Sequence, residues 1–223
     1  MKFLAVNHLE TMINTIIAYD NIDYQIGDYF NRSYLHLDEL KNDESISITG
    51  VDGNNCLETN INNLIPTFNQ NPFVFVGLSH GTDDGLSLRA VDYYVKENNA
   101  NLFSNSFFYS TACHIGRSLG KVLVSHDCKC FIGYTDVSEV PLVEAYEDLF
   151  IECELHALKN FFLTTKSVQV LYDEMIAFTD AKIIELANGA DILDAMALIR
   201  NRDCMVIIGE DANKLLTRLD FEV

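Results

Sequence analysis

A histidine and a cysteine stand 33 positions apart, each closing an apolar run. The runs are Phe73-Val74-Phe75-Val76-Gly77-Leu78-Ser79-His80-Gly81 and Phe107-Phe108-Tyr109-Ser110-Thr111-Ala112-Cys113. Short, almost wholly apolar stretches rich in β-branched and aromatic residues predict strands buried on both faces, as in a parallel sheet. In such sheets ligands and catalytic groups gather beyond the carboxyl ends of the strands. If the two strands are neighbours, an imidazole and a thiol meet at one edge, as a nucleophile with a proton carrier. Gly81 lets a substrate approach the backbone closely, and its N–H and that of Cys113 can face a developing oxyanion. A helix predicted from about Gly116 would turn its positive end toward the thiolate.

The elements that must position this pair alternate along the chain. The reading is strand Lys2 to Val6, helix Leu9 to Tyr19, strand Ser45 to Val51, helix Leu57 to Phe68, then the strand ending before His80. Residues 20–45 show no clean period. Short strands or a hairpin follow in Leu86 to Tyr94, then the strand to Cys113, helix Gly116 to Val124 and strand Cys130 to Thr135. Pro141 is read as opening a long helix to about Phe162, with further helices over Ser167 to Phe178 and Asp191 to Asn201. A last strand, Met205 to Ile208, and a final helical turn within Ala212 to Arg218 complete the chain. This alternation predicts an α/β domain on a mainly parallel sheet.

The whole chain agrees with that size and class. Its 223 residues, 48% apolar and 22% charged, suit one domain with its own core, and three prolines leave no evident linker. A net charge of -18 repels phosphate backbones and anionic headgroups, so neither nucleic acid nor a membrane surface is expected as a partner. The six cysteines are dispersed and read as reduced thiols, and the N-terminal stretch does not read as a signal peptide, so a cytoplasmic location is expected.

The two strand-end blocks resemble the signatures of the caspase-like cysteine peptidases, the group of caspases, metacaspases, gingipains, separase and the bacterial CHAT proteins. In that group one hydrophobic strand closes in His-Gly and the next in Ala-Cys, as at His80-Gly81 and Ala112-Cys113. The resemblance implies a three-layer αβα sandwich with about six strands. One domain would span 1–223, with a catalytic core over 1–165 and a C-terminal helical part with a last strand over 166–223. It further implies a cysteine endopeptidase acting on a protein or peptide substrate, with Cys113 as nucleophile, His80 as general acid and base, and the Gly81 and Cys113 N–H groups as oxyanion hole. No cofactor, metal or third catalytic residue is implied, and relatives in bacterial defence or programmed-death systems act after a partner subunit activates them.

Substrate preference in the group is set at the end of the first strand, two residues before the cysteine, and after the strand that follows. Here those places hold Asn7 and His8, Thr111, and Tyr134 to Asp136. The sequence departs from animal caspases in having Thr111, His114-Ile115-Gly116 after the cysteine, and a shorter His-to-Cys separation than their roughly 50 residues. None of those places holds an arginine suited to an acidic side chain. Asp136 and Glu139 stand where a basic one could be received, and read otherwise as solvated loop charges. An idle caspase-like interaction module and a thiol-dependent acyl-transfer or deamidating enzyme are the alternatives. Cys128-Lys129-Cys130 after His126 lacks the second half of a zinc knuckle, and Asp83-Asp84 lacks the later acidic residues of a calcium loop.

Overall fold

The computed structural model describes residues 12–189 and 191–223. In chain order the strands are β1 (Ile13–Tyr19), β2 (Ile46–Val51), β3 (Phe73–Leu78), β4 (His80–Thr82), β5 (Gly85–Leu88), β6 (Asp92–Lys96), β7 (Ser106–Ser110), β8 (Cys130–Tyr134) and β9 (Met205–Ile208). The α-helices are α1 (Gly27–Leu35), α2 (Glu58–Leu64), α3 (Leu119–Ser125), α4 (Glu147–Leu163), α5 (Val168–Asn188), α6 (Ile192–Cys204) and α7 (Asp211–Lys214). Six strands form the central sheet in the order β2-β1-β3-β7-β8-β9. All its pairings are parallel except β8 with β9, which is antiparallel at one edge. Strands β4, β5 and β6 form a separate antiparallel sheet inserted between β3 and β7.

Side-chain alternation along the strands divides the core into two apolar layers. Val74, Val76 and Leu78 of β3 face one side, where they join residues of α1, α4, α5 and α6. Phe73 and Phe75 face the other, with residues of α2 and α3. A sheet covered by helices on both faces is a three-layer αβα sandwich. Residues 166–223 are not a separate body, because β9 completes the sheet edge and α5 and α6 share the first layer.

The first strand corrects the sequence reading. Met12, Ile13, Ile16 and Ile17 have helical spacing, yet Ile13–Tyr19 is a strand paired on both sides, to β2 and to β3. Ile13, Ile16 and Ile17 are all at most 1% exposed, so both faces are buried and the apolar pattern loses its alternation. Their β-branched side chains suit the pleated surface better than a helix. The strand read over Lys2 to Val6 lies outside the described residues.

Other boundaries move less. The irregular 20–45 stretch contains α1 and a short 3-10 turn, Asp38–Asn42. Pro141 lies in a loop, and α4 starts six residues later, after the 3-10 turn Glu144–Tyr146. Helix α3 starts at Leu119, with Ser118 as N-cap, rather than at Gly116, so its end is set further from Cys113 than expected. Helix α5 runs on to Asn188, ten residues past the expected end.

Candidate active site

The pairing of β3 with β7 joins residues 33 apart, from Phe73 with Ser106 to Gly77 with Ser110. The chains stay together beyond the strands, where Thr111 N–H donates to Gly77 O at 3.3 Å. Three residues further on, each chain carries one member of the pair, His80 at the start of β4 and Cys113 in the loop after β7. The contact is tight enough to require glycine at the next position. A Cβ on Gly81 would lie 2.5 Å from the Cys113 carbonyl oxygen and 2.8 Å from both Ala112 Cβ and Ile115 Cγ2.

His80 and Cys113 line one narrow cavity of about 30 Å³, together with Ser79, Thr111, Ser138 and Glu154. Tyr29, Phe30, Ile26 and Val140 close its sides. That volume is enough to hold a water molecule. A wider groove beside α3, lined by Asp83, Asp84, Lys96 and Glu97, contains neither member of the pair.

His80 is held from behind. Its Nε2 lies 3.2 Å from Asp23 Oδ2, and its ring meets Phe30 edge-on at 5.6 Å between centroids. Asp23 is itself fixed, its Oδ1 accepting the N–H groups of Gln25 at 2.7 Å and Ile26 at 2.9 Å. Burial acts to raise the Asp23 pKa, but these two N–H groups and His80 outweigh it and hold the carboxyl below its usual value. Sequence reasoning missed Asp23 because it sits in the aperiodic stretch, 57 residues before its partner.

Cys113 is a partly buried thiol. Burial pushes it above its ordinary value, the charge of Glu154 adds to this, and the Ser138 N–H at 3.3 Å from Sγ acts the other way. The expected lowering by a helix end therefore has no counterpart here. Glu154, 2% exposed on α4, accepts a hydrogen bond from Tyr29 Oη on Oε2 and from Ser138 Oγ on Oε1, each at 3.0 Å. Its backbone oxygen accepts Tyr109 Oη. Burial raises the Glu154 carboxyl to about 7 against these stabilising hydroxyls. The helical pattern of α4 reads as core, and nothing in the sequence marks Glu154 as facing the cysteine.

The remaining site residues separate. Thr111 lines the cavity. Asp136 does not: it is exposed, held below its usual value first by the Val137 N–H and then by Arg117 and His114, whose Nη2 and Nδ1 lie 3.1 Å and 3.6 Å from its Oδ1. Glu139 pairs with Arg200 at 2.5 Å. His8 lies outside the described residues. Asn7 likewise lies outside them, and the first described strand, β1, ends at Tyr19 and is followed by Asp20 to Asp23. Cys128 and Cys130 are buried neutral thiols, pushed by burial to about 11 and about 12, with Cys128 bonding backbone oxygens. All six cysteines are free.

Among the described residues no helix is long and apolar enough to cross a membrane. Compared with protein-family models, curated proteins and solved structures, the chain matches none.

Proposed function

We propose that this chain is a caspase-like cysteine endopeptidase in which Cys113 attacks the scissile carbonyl and His80 carries the proton. The observation that supports it most is the single cavity shared by His80 and Cys113 at the carboxyl ends of two adjacent parallel strands. Asp23 adds an orienting partner. With its proton on Nε2 facing Asp23, the imidazole has its Nδ1 lone pair available to take the thiol proton. The sulfur then bonds to the carbonyl carbon, and the oxyanion is received by the N–H groups of Gly81 and Cys113. His80 passes its proton to the departing amine as the C–N bond breaks, and water releases the acyl group from sulfur by the reverse sequence.

Two features favour a resting form that a partner protein activates, as the resemblance to bacterial defence and programmed-death peptidases implies. The thiol is held protonated, and the cavity that it shares with His80 is narrow, walled by Tyr29, Phe30 and Val140. The same features would suit an idle interaction module, which is the reading the experiment must separate.

A peptide library is incubated with the purified chain, alone and with candidate activating proteins, beside Cys113→Ala and His80→Ala. Cleavage lost in both variants supports the peptidase. Side-chain deamidation or acyl transfer without backbone cleavage points to the other thiol chemistry. No turnover under any condition, with partner binding intact in both variants, identifies the idle module.

A further inference from the structure

Behind His80 lies a second cluster with a different chemical character. One ligand-capable atom from each of Asp20, Asp23 and His80 lies within 4.8 Å of the others. Asp20 directly follows β1 and is tied to the adjoining strand by its N–H, which donates to Leu78 O at 2.9 Å. Asp20 is fully buried. Its Oδ2 accepts the Arg89 N–H at 2.6 Å, while its Oδ1, also buried, has no hydrogen-bond partner among the described residues. Asp23 is half-buried as a residue, with its side chain itself 6% exposed.

Two carboxylates this close and this buried repel one another, and a buried oxygen with no donor forfeits its hydration without return. Among the described residues the cationic side chain within ion-pair distance of either is His80, and that only if it is protonated. A divalent cation supplies both missing terms at once. We infer that Asp20, Asp23 and His80 form a binding site for a first-row transition-metal dication. The imidazole nitrogen favours iron, nickel, copper or zinc over calcium and magnesium, which take all-oxygen sets, and the two carboxylates also suit manganese. Donors around such an ion sit roughly 3–4 Å apart, so the side chains have only a short distance to close.

Occupancy has a consequence that rests on the peptidase reading, although the site itself does not. A metal bound at Nε2 takes that lone pair and leaves the ring proton on Nδ1. His80 can then no longer accept the proton of Cys113. The cluster is a switch: the hydrogen bond from Nε2–H to Asp23 leaves the base ready, and metal at the same nitrogen disables it.

The test uses the Cys113→Ala chain, stripped with chelator and titrated with Mn²⁺ while the electron paramagnetic resonance signal of the free ion is followed. Manganese is chosen because the remaining cysteines do not compete for it as they do for zinc. One ion bound per chain is expected, with affinity weakened more than about tenfold by Asp20→Asn, Asp23→Asn and His80→Ala. Circular dichroism verifies that each variant is folded. The partly exposed His80 position keeps the test decisive if buried Asp20 does not tolerate change. No saturable binding, or equal binding in parent and His80→Ala, overturns the site. In the parent chain, cleavage undiminished at full occupancy overturns the switch. Absence of any cleavage counts against the peptidase, while the Mn²⁺ isotherm still decides the site.

Discussion

Replacing Glu154 by glutamine isolates the cost of placing a carboxyl against the candidate nucleophile. The group is enclosed between Tyr29, Ser138 and the Cys113 cavity, and its pKa rises from 4.5 to about 7. A difference of that size corresponds to about 3 kcal/mol between its neutral and charged forms. Between these two values the folded chain holds a proton that the unfolded chain has lost. Stability from this residue is therefore complete below about pH 4.5 and declines as the pH rises through about 7. Glutamine keeps the shape and has no such dependence. It offers one acceptor where the carboxylate offered two, so one hydroxyl, of Tyr29 or Ser138, must turn to accept instead, at a cost of about 1 kcal/mol. Glu154→Gln should thus be the more stable chain by about 2 kcal/mol at pH 8, and equal or slightly weaker at pH 5. Urea unfolding followed by far-ultraviolet circular dichroism across that range measures it, since the chain has no tryptophan to report. The same variant should bring the Cys113 thiol closer to its ordinary value, seen as a shift of the iodoacetamide rate profile to lower pH. Parallel stability curves for the two proteins, with an unmoved alkylation profile, would refute the burial argument.

Three further outcomes follow from the geometry. Asp23→Asn should lower kcat/KM for a cleaved peptide by about a hundredfold with little change in KM, because it disturbs the tautomer of His80 rather than substrate binding; an unchanged rate would remove Asp23 from the mechanism. Gly81→Ala must push a methyl into the Cys113 carbonyl, so it should cost about 1–3 kcal/mol and depress Cys113 reactivity together; a neutral effect on both would mean that the β3 and β7 ends are further apart than described. Phe75→Ala removes a ring packed 4.8 Å from Phe108 and 4.9 Å from Phe103 between centroids and should cost about 3–5 kcal/mol in chemical denaturation. A loss below about 1 kcal/mol would contradict that core.

What could be read in the chain before folding was whatever local chemistry dictates. Phe73–Leu78 and Ser106–Ser110 are too apolar and too β-prone to be anything but doubly buried strands, and their endings name His80, Gly81 and Cys113. The alternation of strands and helices carried the α/β class and the mainly parallel sheet with them, and the family resemblance implied the three-layer sandwich. Ile13–Tyr19 was misread because burial on both faces erases the alternation that marks a strand, leaving a spacing that mimics a helix. Asp20, Asp23 and Glu154 were silent for a different reason. Each is an ordinary acidic residue in its own segment, and it acquires a role only when sheet order and α4 packing set it against His80 or Cys113. Local preference settles which strands form and what stands at their ends. Only long-range packing decides which charges are stripped of water together, and there the chemistry of this site is set.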